Sequence, residues 1–282
     1  MKKQSLAIFL TFVLVATNVL GSHVQAKGKT WYQKRIDFDS GTKKNLNKNF
    51  SLDLTGDGLP ETVRFNEEKN DIVYYVNGQK ASSNVDRGSY DPFSIYYVNV
   101  GNGRIYLVNE AVDGGYCSYD FYYYDTTSQT MKLALRTNQV YAKAGEVWSI
   151  QSVTETKIKT EIHLMPTEIG NIVLYPEFVS NGMNYKLASH YCKAETEEHY
   201  KLKACRKLKF YKSVHSKKVA YTSKKGMNLP LKKAYFTKKE LWGGFAHGKK
   251  IGWRKLSYKN FDKFYGKKGN AWFYSKGVIR GF

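Results

Sequence analysis

The chain has 282 residues and a formal net charge of +21, a length that suggests one large domain or two ordinary ones. Aromatic residues make up 15% of it, and with only 3 Cys a cysteine-stapled fold is excluded. The net positive charge comes from residues 201–282, which hold 24 Lys and Arg against two acids. Residues 1–200 have a net charge of −1. Such an abrupt shift indicates a domain boundary and a difference in partner.

The first 26 residues have the pattern of a secretory signal peptide. Lys2 and Lys3 precede an apolar run, Leu6–Leu20, and Val24-Gln25-Ala26 fits a small-x-Ala cleavage pattern. The run is too short and too interrupted to predict a transmembrane span. We therefore expect a mature chain from about Lys27 that is secreted, extracellular or associated with the cell wall, with no transmembrane span.

A turn between two strand-like segments concentrates oxygen donors. Phe50, Leu52 and Leu54 alternate with polar residues before it, and Val63 and Phe65 resume the alternation after it. The candidate metal ligands are spaced by twos, with Leu59 offering its carbonyl: Asp53, Thr55, Asp57, Leu59 and Glu61. Because a hard cation takes six to eight oxygen ligands, this spacing predicts a Ca²⁺ site, with Gly58 allowing the sharp bend. A polar hairpin turn without metal is the alternative.

This stretch resembles the EF-hand-like calcium hairpin of FG-GAP and VCBS-type repeats. It departs from an EF-hand loop because Arg64 stands at position 12 and Pro60 interrupts the turn. The resemblance implies one structural Ca²⁺ between two strands. Since only one copy of the motif is present, it favours a single sheet, sandwich or blade-like unit over a full propeller.

Residues 27–192 read as an antiparallel all-β domain of short strands joined by Gly and Asn turns. Trp31 and Tyr32 mark a short lead-in strand, and Asn77-Gly78 is a strong hairpin signal. The predicted strands after the metal hairpin are Ile72–Val76, Phe93–Val100, Arg104–Val108, Tyr119–Tyr124, Met131–Leu135, Trp148–Val153, Ile158–Leu164, Ile172–Tyr175 and Met183–Leu187.

Residues 193–208 form the predicted junction, either a short helix or a solvated linker, in which acidic residues give way to basic ones. Residues 209–282 then form a basic domain with a C-terminal extension from 258. Its predicted strands include Val219–Thr222, Ala234–Phe236 and Leu241–Phe245. Cys192 and Cys205 are the cysteines closest in sequence and a possible disulfide, and the odd count leaves at least one thiol over.

Gly248-Lys249-Lys250-Ile251-Gly252-Trp253, which follows these alternating segments, resembles the last-strand motif of bacterial SH3-like modules. The resemblance covers about Lys209–Ser257, although Arg254 stands where that family often has Val. It implies a small SH3-like β-barrel, so the expected fold class is an all-β N-terminal sheet or sandwich followed by this barrel. Such modules often bind cell-wall polymers.

The charge of the C-terminal domain points to an anionic polymer outside the membrane, such as teichoic acid or peptidoglycan. The predicted ligand-binding residues combine exposed cations with aromatic rings: Lys224, Lys225, Tyr235, Trp242, Lys249, Lys250 and Trp253. The two Trp are alternatively core residues of the barrel. A Lys-rich barrel with aromatic residues also suits single-stranded nucleic acid, but the signal peptide argues against that partner.

No catalytic residue is assigned, because the sequence has no nucleophile elbow, zinc-protease motif or phosphate-binding glycine loop. Cys117 follows a Gly-Gly pair and is either a packed or disulfide-bonded cysteine or a nucleophile that needs a nearby base, such as His163 or His190. The sequence favours a non-enzymatic surface protein. The alternative is an exported cell-wall hydrolase or other enzyme with an unrecognised site in residues 66–200.

Overall fold

The computed structural model describes residues 30–38, 45–68, 71–81, 93–113, 116–139, 146–167, 169–196, 202–204, 206–256 and 273–275. Trp31–Phe282 form one compact unit. The predicted signal peptide lies outside the described residues. The strands of the first half are β1 (Lys34–Phe38), β2 (Asn49–Leu52), β3 (Glu61–Glu68), β4 (Asp71–Val76), β5 (Gln79–Lys80), β6 (Phe93–Asn99), β7 (Ile105–Asp113), β8 (Tyr116–Asp125), β9 (Thr130–Arg136), β10 (Glu146–Val153) and β11 (Lys157–Thr167).

The strands of the second half are β12 (Gly170–Tyr175), β13 (Glu177–Asn181), β14 (Asn184–Leu187), β15 (Tyr191–Thr196), β16 (Leu202–Ala204), β17 (Lys209–Tyr211), β18 (Val219–Thr222), β19 (Leu231–Phe236), β20 (Leu241–His247), β21 (Lys250–Leu256) and β22 (Phe273–Ser275). One 3₁₀ turn, Thr137–Gln139, is the only helix among the described residues. The predicted all-β class is therefore confirmed.

Most strands belong to one 16-stranded main sheet. Its path is β1-β6-β7-β8-β10-β11-β12-β15-β19-β20-β21-β17-β18, with β9, β13 and β14 attached at its side. Neighbours pair antiparallel except β8 and β10, which meet in parallel where Cys117 faces Val147. Most neighbours are consecutive strands joined by hairpins, but β1 pairs with β6, and β15 pairs with β12 and β19.

The small sheet, β2 to β5, packs face to face on the N-terminal end of the main sheet and makes a sandwich there. Its inward side chains include Val63, Phe65 and Tyr74, which are fully buried. They meet side chains of β1, β6, β7 and β9, and the Phe65 ring lies 5.5 Å from that of Phe38. Burying each such side chain contributes about 1.5–3 kcal/mol. The predicted sheet or sandwich is confirmed.

Turn residues fall where the sequence indicated. Asn77 and Gly78 have φ of 49° and 82°, the pair of positive values that a two-residue hairpin requires. Gly101-Asn102-Gly103 joins β6 to β7, also with positive φ throughout. Asn and Gly populate this left-handed region at low cost, so local chemistry sets the hairpin registers.

The predicted junction does not form a helix in its described part. Residues 193–196 belong to β15, which pairs with β12 on one side and with β19 on the other. Residues 202–204 form β16, which pairs with β22 in a separate two-stranded sheet. The first residues of the predicted linker therefore belong to the main sheet.

The C-terminal strands contain the predicted Val219–Thr222 as β18 and extend the other two predictions as β19 and β20. β21 pairs with both β20 and β17, and β17 pairs with β18. Among the described residues these strands do not close into a barrel, because β19 pairs with β15 instead of closing onto β18. The expectation of a closed barrel is therefore wrong. Of residues 258–282, the structure describes only β22.

Candidate functional site

The turn between β2 and β3 is held by its own carboxylates. Asp53 accepts hydrogen bonds from the backbone N–H groups of Gly56 at 2.6 Å and Gly58 at 3.0 Å. Asp57 Oδ1 accepts the N–H of Leu59 at 2.8 Å. Gly56 and Gly58 have φ of 78° and 85°, which only glycine adopts easily. The predicted sharp bend at Gly58 is confirmed.

The base of the same turn is closed by Glu61, whose Oε2 accepts the N–H of Leu54 at 2.6 Å. The hydroxyl of Tyr97 on β6 donates to the Asp53 carbonyl at 2.8 Å, which ties the turn to the main sheet. Arg64, at the position of the bidentate ligand in an EF-hand, places its guanidinium 5.0 Å from the ring centre of Tyr75.

The turn offers Ca²⁺ oxygen donors of the right kind, namely carboxylates, the Thr55 hydroxyl and the Leu59 carbonyl. Its carboxylates accept backbone N–H groups in the structure, and Thr55 Oγ1 lies 3.5 Å from Asp53 Oδ1. In the part of the chain that the structure describes, no three His, Cys, Asp or Glu side chains are gathered as a metal would require. The calcium site stays a prediction.

Three of the predicted ligand-binding residues lie on one face of the C-terminal strands. Cross-strand pairing aligns Tyr191 with Tyr235 and Tyr235 with Trp242, and Trp253 is aligned with Tyr211. Directly paired residues point to the same side of a sheet. We call this set of five residues, Tyr191, Tyr211, Tyr235, Trp242 and Trp253, the aromatic face.

The rings of the aromatic face are in contact. Tyr191 lies 4.8 Å from Tyr235 and 5.4 Å from Trp253 between ring centres, the second pair edge to face. Trp242 and Trp253 are 9% and 7% exposed. Both Trp are thus buried, as the alternative interpretation of the sequence held, but in a cluster separate from the main core. Tyr191 remains 49% exposed.

The loop between β17 and β18 lies against the aromatic face. Val214 is buried in the same cluster, and the His215 ring centre lies 5.3 Å from that of Trp242. His215 Nε2 is 2.8 Å from Glu240. An open groove of about 340 Å³ follows this loop, lined by Lys209, Tyr211, His215, Ser216, Lys217, Val219 and Trp242.

Glu240 is the only acidic residue within residues 206–256. It accepts the indole N–H of Trp242 at 3.0 Å, and Lys255 Nζ lies 3.2 Å from it. Burial alone would raise the pKa of Glu240, but the hydrogen bonds from Trp242 and Lys255 and the charge of His215 outweigh burial and lower it. This carboxylate is thus held ionised by groups of the protein itself.

The four predicted lysines lie outside the aromatic face. Lys224 and Lys225 are exposed in the turn after β18. Lys249 and Lys250 are exposed at the hairpin between β20 and β21. Other lysines, which the sequence did not single out, do share the face: Lys193 and Lys233 pair with each other, and Lys255 pairs with Trp242. Only the strand register, including the unpredicted β15, identifies them.

Cys117 lies beside Glu110, with its Sγ 3.6 Å from Oε1. Glu110 also accepts hydrogen bonds from the hydroxyls of Tyr96 at 2.7 Å and Tyr119 at 2.9 Å. Burial, with the charge of Glu110 adding to it, raises the pKa of Cys117 to about 12. Because the thiolate is the reactive form, this environment favours a packed thiol over a nucleophile.

The possible bases for Cys117 are not beside it in the sheet. Val147 pairs with Cys117 on one side and with His163 on the other, so that His163 lies two strands away, about 10 Å. His190 binds the carbonyl of Phe236 instead. Cys192 also carries a free thiol, and its suggested partner Cys205 lies outside the described residues.

A comparison of the chain with protein-family models, curated proteins and solved structures finds no match. The resemblances to calcium hairpins and to SH3-like modules therefore rest on their motifs alone. No helix in the described ranges is long and apolar enough to cross a membrane.

Proposed function

We propose that this chain is a non-enzymatic exported surface protein whose C-terminal region binds an anionic cell-wall polymer such as teichoic acid or peptidoglycan. The charge of residues 206–256 carries the proposal: 16 Lys and Arg stand against a single acid, Glu240. That acid already has three partners within the protein, Trp242, His215 and Lys255.

All 14 lysines of residues 206–256 are exposed. Like charges at this density repel one another and oppose compaction, and a polymer with repeated anions relieves the repulsion. An ordinary solvated surface mixes both signs of charge instead. The near absence of acids therefore supports a binding role over a role in solubility alone.

The proposal gives the N-terminal sandwich the role of a rigid support. Its strands continue through β12 and β15 into the basic region, so that the exposed lysines are mounted on one hydrogen-bonded sheet. A structural Ca²⁺ at the β2–β3 turn, held by Asp53, Thr55, Asp57, Leu59 and Glu61, would stiffen that support. Extracellular calcium modules typically bind at about 0.1–1 mM.

The experiment is a pull-down of the mature chain, residues 27–282, with purified cell walls before and after removal of teichoic acid. Binding should weaken steeply between 0.1 M and 1 M salt, where the Debye length falls from about 10 Å to about 3 Å. The double variant Lys249→Gln/Lys250→Gln should lose roughly ten- to thirtyfold in affinity, at about 1 kcal/mol per lysine near an anionic surface.

The matched control replaces two exposed lysines outside the basic region, Lys132→Gln/Lys159→Gln, and should bind as the parent does. The proposal would be contradicted if binding did not change with salt concentration, or if the chain bound neither intact walls nor walls without teichoic acid. The alternative function, an exported hydrolase or other enzyme with a site in residues 66–200, predicts that the purified chain clears wall substrate. The raised pKa of Cys117 argues against that residue as its nucleophile.

A further inference from the structure

From the aromatic face we infer a specific binding platform for a charged glycan, one whose sugar or polyol units carry phosphate or carboxylate groups. The platform comprises the rings of Tyr191, Tyr235 and Tyr211 with the lysines that share their side of the sheet. The inference rests on the proposed function and adds to it a site at which a sugar chain, rather than charge alone, is recognised.

The first observation is the exposure of apolar surface. The large apolar side chains that the described residues expose are Leu59, Leu133, Tyr191 and Val219. Two of these belong to this region: Tyr191 is 49% exposed on the aromatic face, and Val219 pairs with Tyr211 and lines the adjoining groove. Exposed apolar side chains on a basic region indicate a contact surface.

The second observation is that the two Trp of the aromatic face are fixed in place and that Tyr191 packs on one of them. Gly244 has no side chain, and a Cβ there would stand 3.3 Å from Trp253 Cη2, so the indole packs over the strand itself. Tyr191 contacts Trp253 edge to face at 5.4 Å. Trp242 is fixed by its hydrogen bond to Glu240. Rigid rings lose little conformational entropy on binding.

The third observation is the interleaving of cations with the rings. One row across the strands reads Lys193, Lys233, Gly244, Trp253 and Tyr211, and the next reads Tyr191, Tyr235, Trp242 and Lys255. Five strands at about 4.8 Å spacing make a face about 19 Å wide. Such a surface fits a polymer that alternates flat, partly apolar rings with anions.

Strand β15 completes the platform, because it supplies Tyr191 and Lys193, which lie before the basic region in sequence. The lysine ammonium lies 4.5 Å from the ring centre of Tyr175, so Lys193 is anchored on β12 as well. At this boundary the sheet becomes acidic, with Glu195 3.6 Å from Lys193. The basic region is therefore an incomplete site without β15 of the same sheet.

The test compares three probes on the mature chain by calorimetry or fluorescence titration. Inorganic polyphosphate offers charge without rings, a neutral soluble glucan offers rings without charge, and teichoic acid or hyaluronate offers both. We expect the charged glycans to bind at least tenfold tighter than either of the other probes. Tyr191→Ala should weaken them about tenfold, the size of one lost stacking contact, and leave polyphosphate binding within twofold.

Two controls accompany Tyr191→Ala. Tyr191→Phe keeps the ring and should bind as the parent does, and Leu133→Ala removes an exposed apolar side chain of β9 that is not part of the platform. If Tyr191→Ala leaves charged-glycan binding unchanged, or weakens polyphosphate equally, the platform is refuted while the charge-driven function stands. If no polyanion binds, the proposed function itself fails. Tighter binding to single-stranded poly-dT than to charged glycans would overturn the ligand class.

Discussion

A Cβ added to Gly56 would stand 2.7 Å from the Cα of Gly103, so the β2–β3 turn and the β6–β7 turn touch backbone to backbone. This contact joins the small sheet to the main sheet at their shared end. It also gives Gly56 a packing role in addition to its positive φ.

Gly56→Ala should therefore destabilise the protein by about 3 kcal/mol, from a left-handed backbone at φ of 78° together with a backbone clash. Gly58→Ala is the matched control, because φ there is 85° but nothing lies within 4 Å of the added Cβ. It should cost only the backbone term, about 1 kcal/mol. Urea unfolding measures both, and equal losses would contradict the turn-to-turn contact.

Calcium should raise the melting temperature if the β2–β3 turn holds it. With a dissociation constant of about 0.1–1 mM, 5 mM Ca²⁺ adds about 1–2 kcal/mol to the free energy of unfolding. That corresponds to a rise of roughly 2–8 °C for a domain of this size. Mg²⁺ at the same concentration is the control. If Ca²⁺ leaves the melting temperature unchanged, the β2–β3 turn is a polar turn without metal.

The lowered pKa of Glu240 predicts a dependence of stability on pH. A carboxylate with a depressed folded pKa stabilises the fold above its unfolded pKa of about 4.3, and the contribution disappears as pH falls through the folded pKa. Glu240→Gln should thus cost about 1 kcal/mol at pH 7 and progressively less towards pH 3.

The control for this measurement is Glu177→Gln, which removes an exposed ion pair with Lys157 that is 2.7 Å long. Exposed pairs of this kind contribute about 0–1 kcal/mol. Thermal melts between pH 3 and pH 7 compare the two variants. A loss for Glu240→Gln that does not change with pH would show that its carboxylate contributes by packing rather than by charge.

The thiols of Cys117 and Cys192 should react slowly in the folded protein, because burial raises the pKa of each to about 12. Against an ordinary value of about 8.5, this reduces the thiolate fraction at pH 8 by roughly a thousandfold. In a Cys205→Ser variant, iodoacetamide can label only Cys117 and Cys192. Labelling should be slow in the folded protein and rapid after unfolding in urea. Rapid labelling of Cys117 in the folded protein would make this residue a candidate nucleophile again.

The sequence predicted most of the strands because two local signals sufficed. Alternation of apolar and polar residues marks β2, β3 and β11, and positive-φ turns such as Asn77-Gly78 fix where the chain reverses. These features depend on neighbours in sequence. They can therefore be predicted without any knowledge of the tertiary contacts.

The sequence failed where pairing between distant strands decides the outcome. The acidic-to-basic stretch after Cys192 looks like a solvated linker, yet residues 193–196 are placed in β15 by β12 and β19 together. The same pairing brings Tyr191 and Lys193 beside Tyr235 and Lys233. No local pattern encodes that register, so the aromatic face could be predicted only in part.

The position of β15 between β12 and β19 has a consequence for anyone who would divide the chain. Cutting between residues 196 and 208 would leave β15 as an unprotected edge in one fragment and β19 as an unprotected edge in the other. Bare edges of this kind recruit other strands and promote aggregation. The basic region is thus built as the far end of a shared sheet and not as a detachable module.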